Sequence, residues 1–153
     1  MSNLFSKGAT SVQPQNLDIH TADLHRPLDP AQVPLSHFAL EEVGRSLRQD
    51  AVYQNTGKNS RSLIRSQSLT MVLTALQKGS RLNEHHAPGP ATALVLEGEL
   101  LFSSPGPLAS PAQTDLVLGA HQCAVFAGGL LHSVQAREET LLLIIIGEKS
   151  TST

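Results

Sequence analysis

From Arg61 onward the chain breaks into short apolar runs: SLIRSQ, LTMVLTALQ, ATALVLE, ELLFS, TDLVL, QCAVFA, HSVQA and TLLLIII. Runs of this length, rich in aliphatic and β-branched residues and bounded by turn residues, predict strands. The breaks fall at Lys78-Gly79, Ala87 to Pro90, Gly98, the stretch SSPGPLASPAQ, Gly119 and Gly128-Gly129. Such spacing suits a compact β-sandwich or barrel.

Upstream, the period changes. Leu40, Val43, Leu47 and Ala51 recur at helical spacing, with Glu41 and Glu42 early, Arg45 and Arg48 late, and Ser36 placed as an N-cap. This predicts one short amphipathic helix, in which Gly44 costs about 1 kcal/mol relative to alanine. Gln54 to Ser60 (QNTGKNS) reads as a loop. Before the helix, Pro14, Pro27, Pro30 and Pro34 deny the chain both a helix interior and a central strand. The expected organisation is therefore an extended proline-rich arm over residues 1–35, a helix and loop over 36–60, and one all-β domain over 61–148. Leu24, Leu28, Val33 and Leu35 give the arm apolar points with which to dock on the domain or on a neighbouring subunit.

Composition narrows the classes of function. The chain has 153 residues, enough for one domain with a single core. Aromatic residues are 3% and tryptophan is absent, so the core must be aliphatic. Eleven basic residues stand against 13 acidic ones with no basic run, which offers no footprint for nucleic acid. The apolar run Leu141 to Ile146 is far shorter than the roughly 20 residues that span a bilayer, and MSNLFSKGATS lacks a signal-like apolar core. A soluble, unexported protein with no membrane partner follows as the expectation. A single cysteine, Cys123, cannot form an internal disulfide, which fits the cytoplasm; a buried thiol is the commoner state for such a residue.

Candidate chemistry concentrates in GSRLNEHHAPGPATALVLEGEL, Gly79 to Leu100. Gly79, His85 and Gly98 stand where the first motif of the cupin superfamily has glycine, histidine and glycine. Ala127-Gly128-Gly129-Leu130-Leu131-His132 follows the central part of the second motif. Over about residues 61 to 147 the sequence thus resembles a small RmlC-like cupin. The resemblance implies a cupin β-barrel (double-stranded β-helix, or jelly roll), with the arm and helix outside it. It also implies a homodimer, since cupins commonly pair through a sheet edge; the arm would then cross to the partner.

In that family two histidines and a glutamate of the first motif and one histidine of the second usually hold a divalent metal. Here His85 and His132 occupy two of those positions, while Ala87 replaces the second histidine and Ala91 the glutamate. Ala127 and Ala136 replace the second motif's proline and asparagine, and His121 stands near its first glycine, with Gly119 two residues early. Alanine donates no lone pair, and a stable site normally needs three protein ligands. Two readings remain open. His86 or Glu84 turns inward at the Pro88-Gly89 turn or at a bulge and completes a site with His85 and His132; or the two imidazoles are hydrogen-bonded residues of a pocket.

Strand alternation describes that pocket. If Ala91 faces inward, so do Ala93 and Val95, and Val134 and Ala136 share the face of His132. The result is a roomy apolar cavity with imidazoles on one side, unless side chains such as Phe126 fill it. The favoured function is binding of a small molecule by His85, His132, Ala91, Ala93, Val95 and Phe126. The alternative is a metal-dependent enzyme of the oxygenase or isomerase type using zinc, nickel, manganese or iron; a third is a dimeric interaction module with a filled interior. Cys123 with His121 suggests a thiol-imidazole nucleophile, but no third residue orients them. Glu97 and Glu99 flank a turn as a solvated pair, and His20, His25 and His37 are expected to be exposed.

Overall fold

A computed structural model describes residues 26–32, 35–105 and 113–149. The expected single helix is two, α1 (Leu40–Gln49) and α2 (Ala51–Thr56). Asp50 causes the break. Its backbone is extended, and its carboxylate accepts a hydrogen bond from the Val52 N–H at 2.8 Å, so it ends one helix and caps the next. Ser36 lies before the helix, and Ala39 at the N-cap supplies no side-chain bond. The expected loop over 54–60 is divided among α2, its left-handed C-cap Gly57 and the first strand.

Among the described residues nine strands follow: β1 (Lys58–Arg65), β2 (Thr70–Leu76), β3 (Arg81–His86), β4 (Ala91–Glu97), β5 (Glu99–Ser104), β6 (Thr114–Gly119), β7 (Cys123–Phe126), β8 (Leu131–Ala136) and β9 (Thr140–Ile146). They pair antiparallel in two sheets, β1-β2-β9-β4-β7 and β3-β8-β5-β6. This is the expected all-β jelly roll, its interior enclosed between two sheets; among the described residues the pairing does not close into one continuous barrel. Strand β3 has no counterpart among the runs read from sequence, because RLNEHH is largely exposed and polar.

One interior cluster lies between the sheets. Leu76, Ala93, Val95, Ala124 and Leu142 from one sheet meet Leu100, Phe102, Leu118, Val134 and Ala136 from the other. A second cluster covers the outer face of the five-stranded sheet, where Val43, Leu47 and Tyr53 of the helices pack on Leu63, Leu73, Ala75, Leu141 and Leu143. Strand β9 therefore has both faces buried, Leu142 inward and Leu141 and Leu143 outward, which is why TLLLIII reads as a continuous apolar run rather than an alternating one. Gly44 belongs to this contact: a Cβ there would lie 2.7 Å from Leu141 Cδ2, so glycine lets α1 approach the sheet.

Arg48 fixes the helix end to the turns of the sheet, bonding Glu97 at 2.8 Å and Glu139 at 3.0 Å. Of the arm residues, Leu28 is seated on β1: its N–H donates to the Leu63 carbonyl and its own carbonyl accepts from the Arg65 N–H, both at 2.9 Å. Leu35 is 65% exposed, so it does not dock within this chain. Residues 1–25 and Val33, which include Leu24, His20 and His25, lie outside the described residues, as does most of the SSPGPLASPAQ stretch. No helix among the described residues is long and apolar enough to cross a membrane.

Candidate functional site

The geometry begins with an irregularity in β3. Leu82 is in register with Val134 and His85 with His132, so β3 spends one residue more than β8 between those pairs. In a regular strand Leu82 and His85 would face opposite ways. The bulge brings both onto the cavity side and turns His86 outward, opposite Leu131. A bulge was foreseen as a means of bringing His86 in; lying before His85, it has the other result. His86 and Glu84 are exposed, and neither lines the cavity.

Beyond His85 the chain keeps to the same space. Ala87, Pro88, Ala91 and Ala93 line it, with Ala87 tied to the opposite loop through its N–H to Leu130 at 3.2 Å and its carbonyl to the Gly129 N–H at 2.7 Å. The positions of the family's second histidine and glutamate thus face the cavity as methyl groups. Phe102, Phe126, His132, Val134, Leu142 and Ile144 complete most of the wall. Of the residues expected there, Val95 is misplaced: it faces inward but sits deeper, fully buried in the core. Phe102 was missed, although ELLFS alternates and puts Leu100 and Phe102 on one face.

His132 is 5% exposed and surrounded by rings. Phe102 stacks on it at 5.2 Å between centroids and 9° between planes; Phe126 lies tilted at 4.7 Å and His85 at 4.3 Å. Both imidazoles are tied down in the same way. Nδ1 of His132 is 2.9 Å from the Leu130 carbonyl oxygen, and Nδ1 of His85 is 2.7 Å from that of Asn83. A carbonyl only accepts, so each ring donates from Nδ1, and in its neutral form leaves Nε2 as a lone-pair acceptor. Burial holds His132 below the ordinary imidazole range; its bond to Leu130 opposes this, and the neighbouring His85 and His86 add to the lowering.

The remaining candidates separate from this site. Cys123 is exposed, not buried. In β7 Ala124 and Phe126 point inward, so Cys123 and Val125 must point out, and Val125 is 76% exposed. His121 sits in the preceding turn with φ 67°, exposed, and His37 is exposed as well. Glu97 and Glu99 are solvent-accessible, as expected, and each faces an arginine: Glu97 pairs with Arg48, and Glu99 with Arg137 at 3.4 Å.

The whole two-sheet architecture has solved counterparts. A cupin 2 conserved barrel domain protein from Leptotrichia buccalis superposes with a TM-score of 0.58 at 28% identity, over 72% of this chain and 47% of that one. The chain has the cupin fold. An RmlC-like cupin from Shewanella frigidimarina matches with a TM-score of 0.52 at 18% identity, over 61% of this chain and 78% of its own. An oxalate decarboxylase variant from Bacillus subtilis matches with a TM-score of 0.56 at 21% identity; this cupin-fold chain covers 27% of its length, and that enzyme has Mn(II) centres. No family model and no curated protein matches the sequence.

Does the site of this cupin-fold chain suit such a metal? Among the described residues no three His, Cys, Asp or Glu side chains come together as a metal-holding group. His85 and His132 supply two nitrogens, and the surrounding wall is hydrocarbon. The residues do not fit the three- or four-ligand set of the family.

Proposed function

We propose that this cupin-fold protein binds a small molecule in the space between the sheets, with His85 and His132 as its polar anchors and no resident metal. One observation carries the reading: two imidazoles, each fixed through Nδ1, stand at an otherwise apolar cavity in which the family's other ligand positions are Ala87 and Ala91. Ligand pockets generally have this composition, with a hydrocarbon wall and a few placed polar groups. The cavity measures about 50 Å³. That is well below the roughly 150 Å³ that admits benzene, so it receives a molecule of a few heavy atoms or the slim end of a larger one. Ala91, Ala93 and Phe126 shape that space, and His132 lies within it while His85 stands at its exposed rim.

The experiment is an NMR titration of the full-length protein with a panel of short alcohols, short carboxylates and phenols, repeated on Ala91→Leu. Saturable shifts at residues around His132, lost when the leucine fills the cavity, are the expected result. A panel that moves no resonance in the wild type would overturn the reading in favour of an interior that serves only the fold.

A further inference from the structure

Resting on that reading, we infer that the molecule is a neutral hydroxyl compound whose O–H donates to Nε2 of His132, and not a carboxylate or other anion. Among the described residues the cavity wall contains no serine, threonine, asparagine, glutamine, lysine or arginine side chain; its side-chain polar atoms are those of the two imidazoles. The wall therefore presents no fixed side-chain donor. Each Nδ1–H is already spent on a backbone carbonyl of its own strand or the adjoining turn, Asn83 for His85 and Leu130 for His132. What is left on a neutral His132 is an acceptor.

An anion would need His132 protonated, and its surroundings resist that. The ring is buried between Phe102 and Phe126, and the group against it from β3 is a further imidazole, His85. Among the described residues the cavity wall carries no carboxylate. A cation imidazole stranded among hydrocarbon loses its hydration without a counter-charge. A ligand ammonium would also donate to Nε2, but its desolvation in the same hydrocarbon wall is far more costly than that of a hydroxyl. A hydroxyl at the end of a slim apolar chain meets both demands: it supplies the missing donor and carries no charge into the cavity.

The test uses n-butanol and butyrate, which match in chain length, on the untagged full-length protein at about pH 8, where an ordinary imidazole is neutral. Butanol is expected to bind at least about tenfold more tightly than butyrate, about 1.4 kcal/mol. The preference should vanish in His132→Phe, which keeps a ring in the stack. Independently of any variant, long-range nitrogen-proton NMR of the imidazoles should show His132 as the Nδ1–H form, with its Nε2 resonance shifting when butanol is added. Butyrate binding as well as or better than butanol, or an Nε2–H form of His132, would overturn the hydroxyl assignment while leaving the pocket. Failure of both compounds to bind would overturn the pocket together with it.

Discussion

The space between the two sheets has a packed end and an open end, built from the same strands. At the packed end Leu76, Val95, Leu100 and Leu118 interdigitate, and none of them lines the cavity. At the open end β4 contributes Ala91 and Ala93 in place of Val95, β3 contributes His85 and the turn after it Ala87, and β8 puts His132 where a branched aliphatic would fit. One strand, ATALVLE, thus passes from cavity wall to solid core within three inward positions. The lesson is that the cavity comes from side-chain volume and not from any change in backbone architecture. Methyl groups stand at two positions where the resemblance to cupins implies metal ligands, and the two-sheet frame is that of the cupin fold.

Restoring those groups is the severest way to break the difference between this chain and a metal-holding cupin. The double variant Ala87→His with Ala91→Glu should acquire a divalent metal with micromolar or better affinity, about 8 kcal/mol, because both positions already face the cavity beside His85 and His132. Titration with zinc followed by calorimetry checks it; a variant that folds but takes no metal would show that the two alanines are not aimed at the imidazoles. At the packed end Leu100→Ala should cost about 3 kcal/mol, measured by urea unfolding, since it opens a void in a fully buried site. At the open end Ala91→Leu should change stability by less than about 1 kcal/mol, because the added carbons enter space that is already empty. Equal costs at the two ends would erase the distinction.

The smallest effect is on pH dependence. Burial keeps His132 less basic in the folded chain than in the unfolded one, whose imidazole titrates near about 6.5. Above that pH both states are neutral and the full stability is present. As pH falls below it the unfolded chain takes up the proton first, so stability declines until the folded ring is protonated too. Thermal unfolding across this window should therefore fall more steeply in the wild type than in His132→Phe; parallel curves would mean that the ring titrates normally.

Much of this was legible in the sequence, for physical reasons that particular elements make clear. Alternation in ATALVLE and HSVQA placed Ala91, Ala93 and His132 on inward faces, since period two leaves no freedom once one residue is fixed. The same rule, applied to QCAVFA with Phe126 inward, would have put Cys123 outside; the general tendency of free thiols to be buried misled instead. Depth along a strand is not encoded by period, so alternation alone does not separate Val95 in the core from Ala91 and Ala93 at the cavity. The bulge between Leu82 and His85 was beyond local patterning, because it is defined by register against β8, a partner far along the chain. The helix break at Asp50 was legible in principle, as an N-cap inside a helical run, but the apolar spacing through Ala51 concealed it.

The central claim is that the open end is an apolar pocket holding two imidazoles and not a metal centre. Elemental analysis of protein purified without a histidine tag or chelator, repeated on His85→Ala and His132→Ala, tests it most directly. Metal far below one equivalent per chain is expected in all three samples. Near-stoichiometric metal in the wild type that disappears in both variants would contradict it.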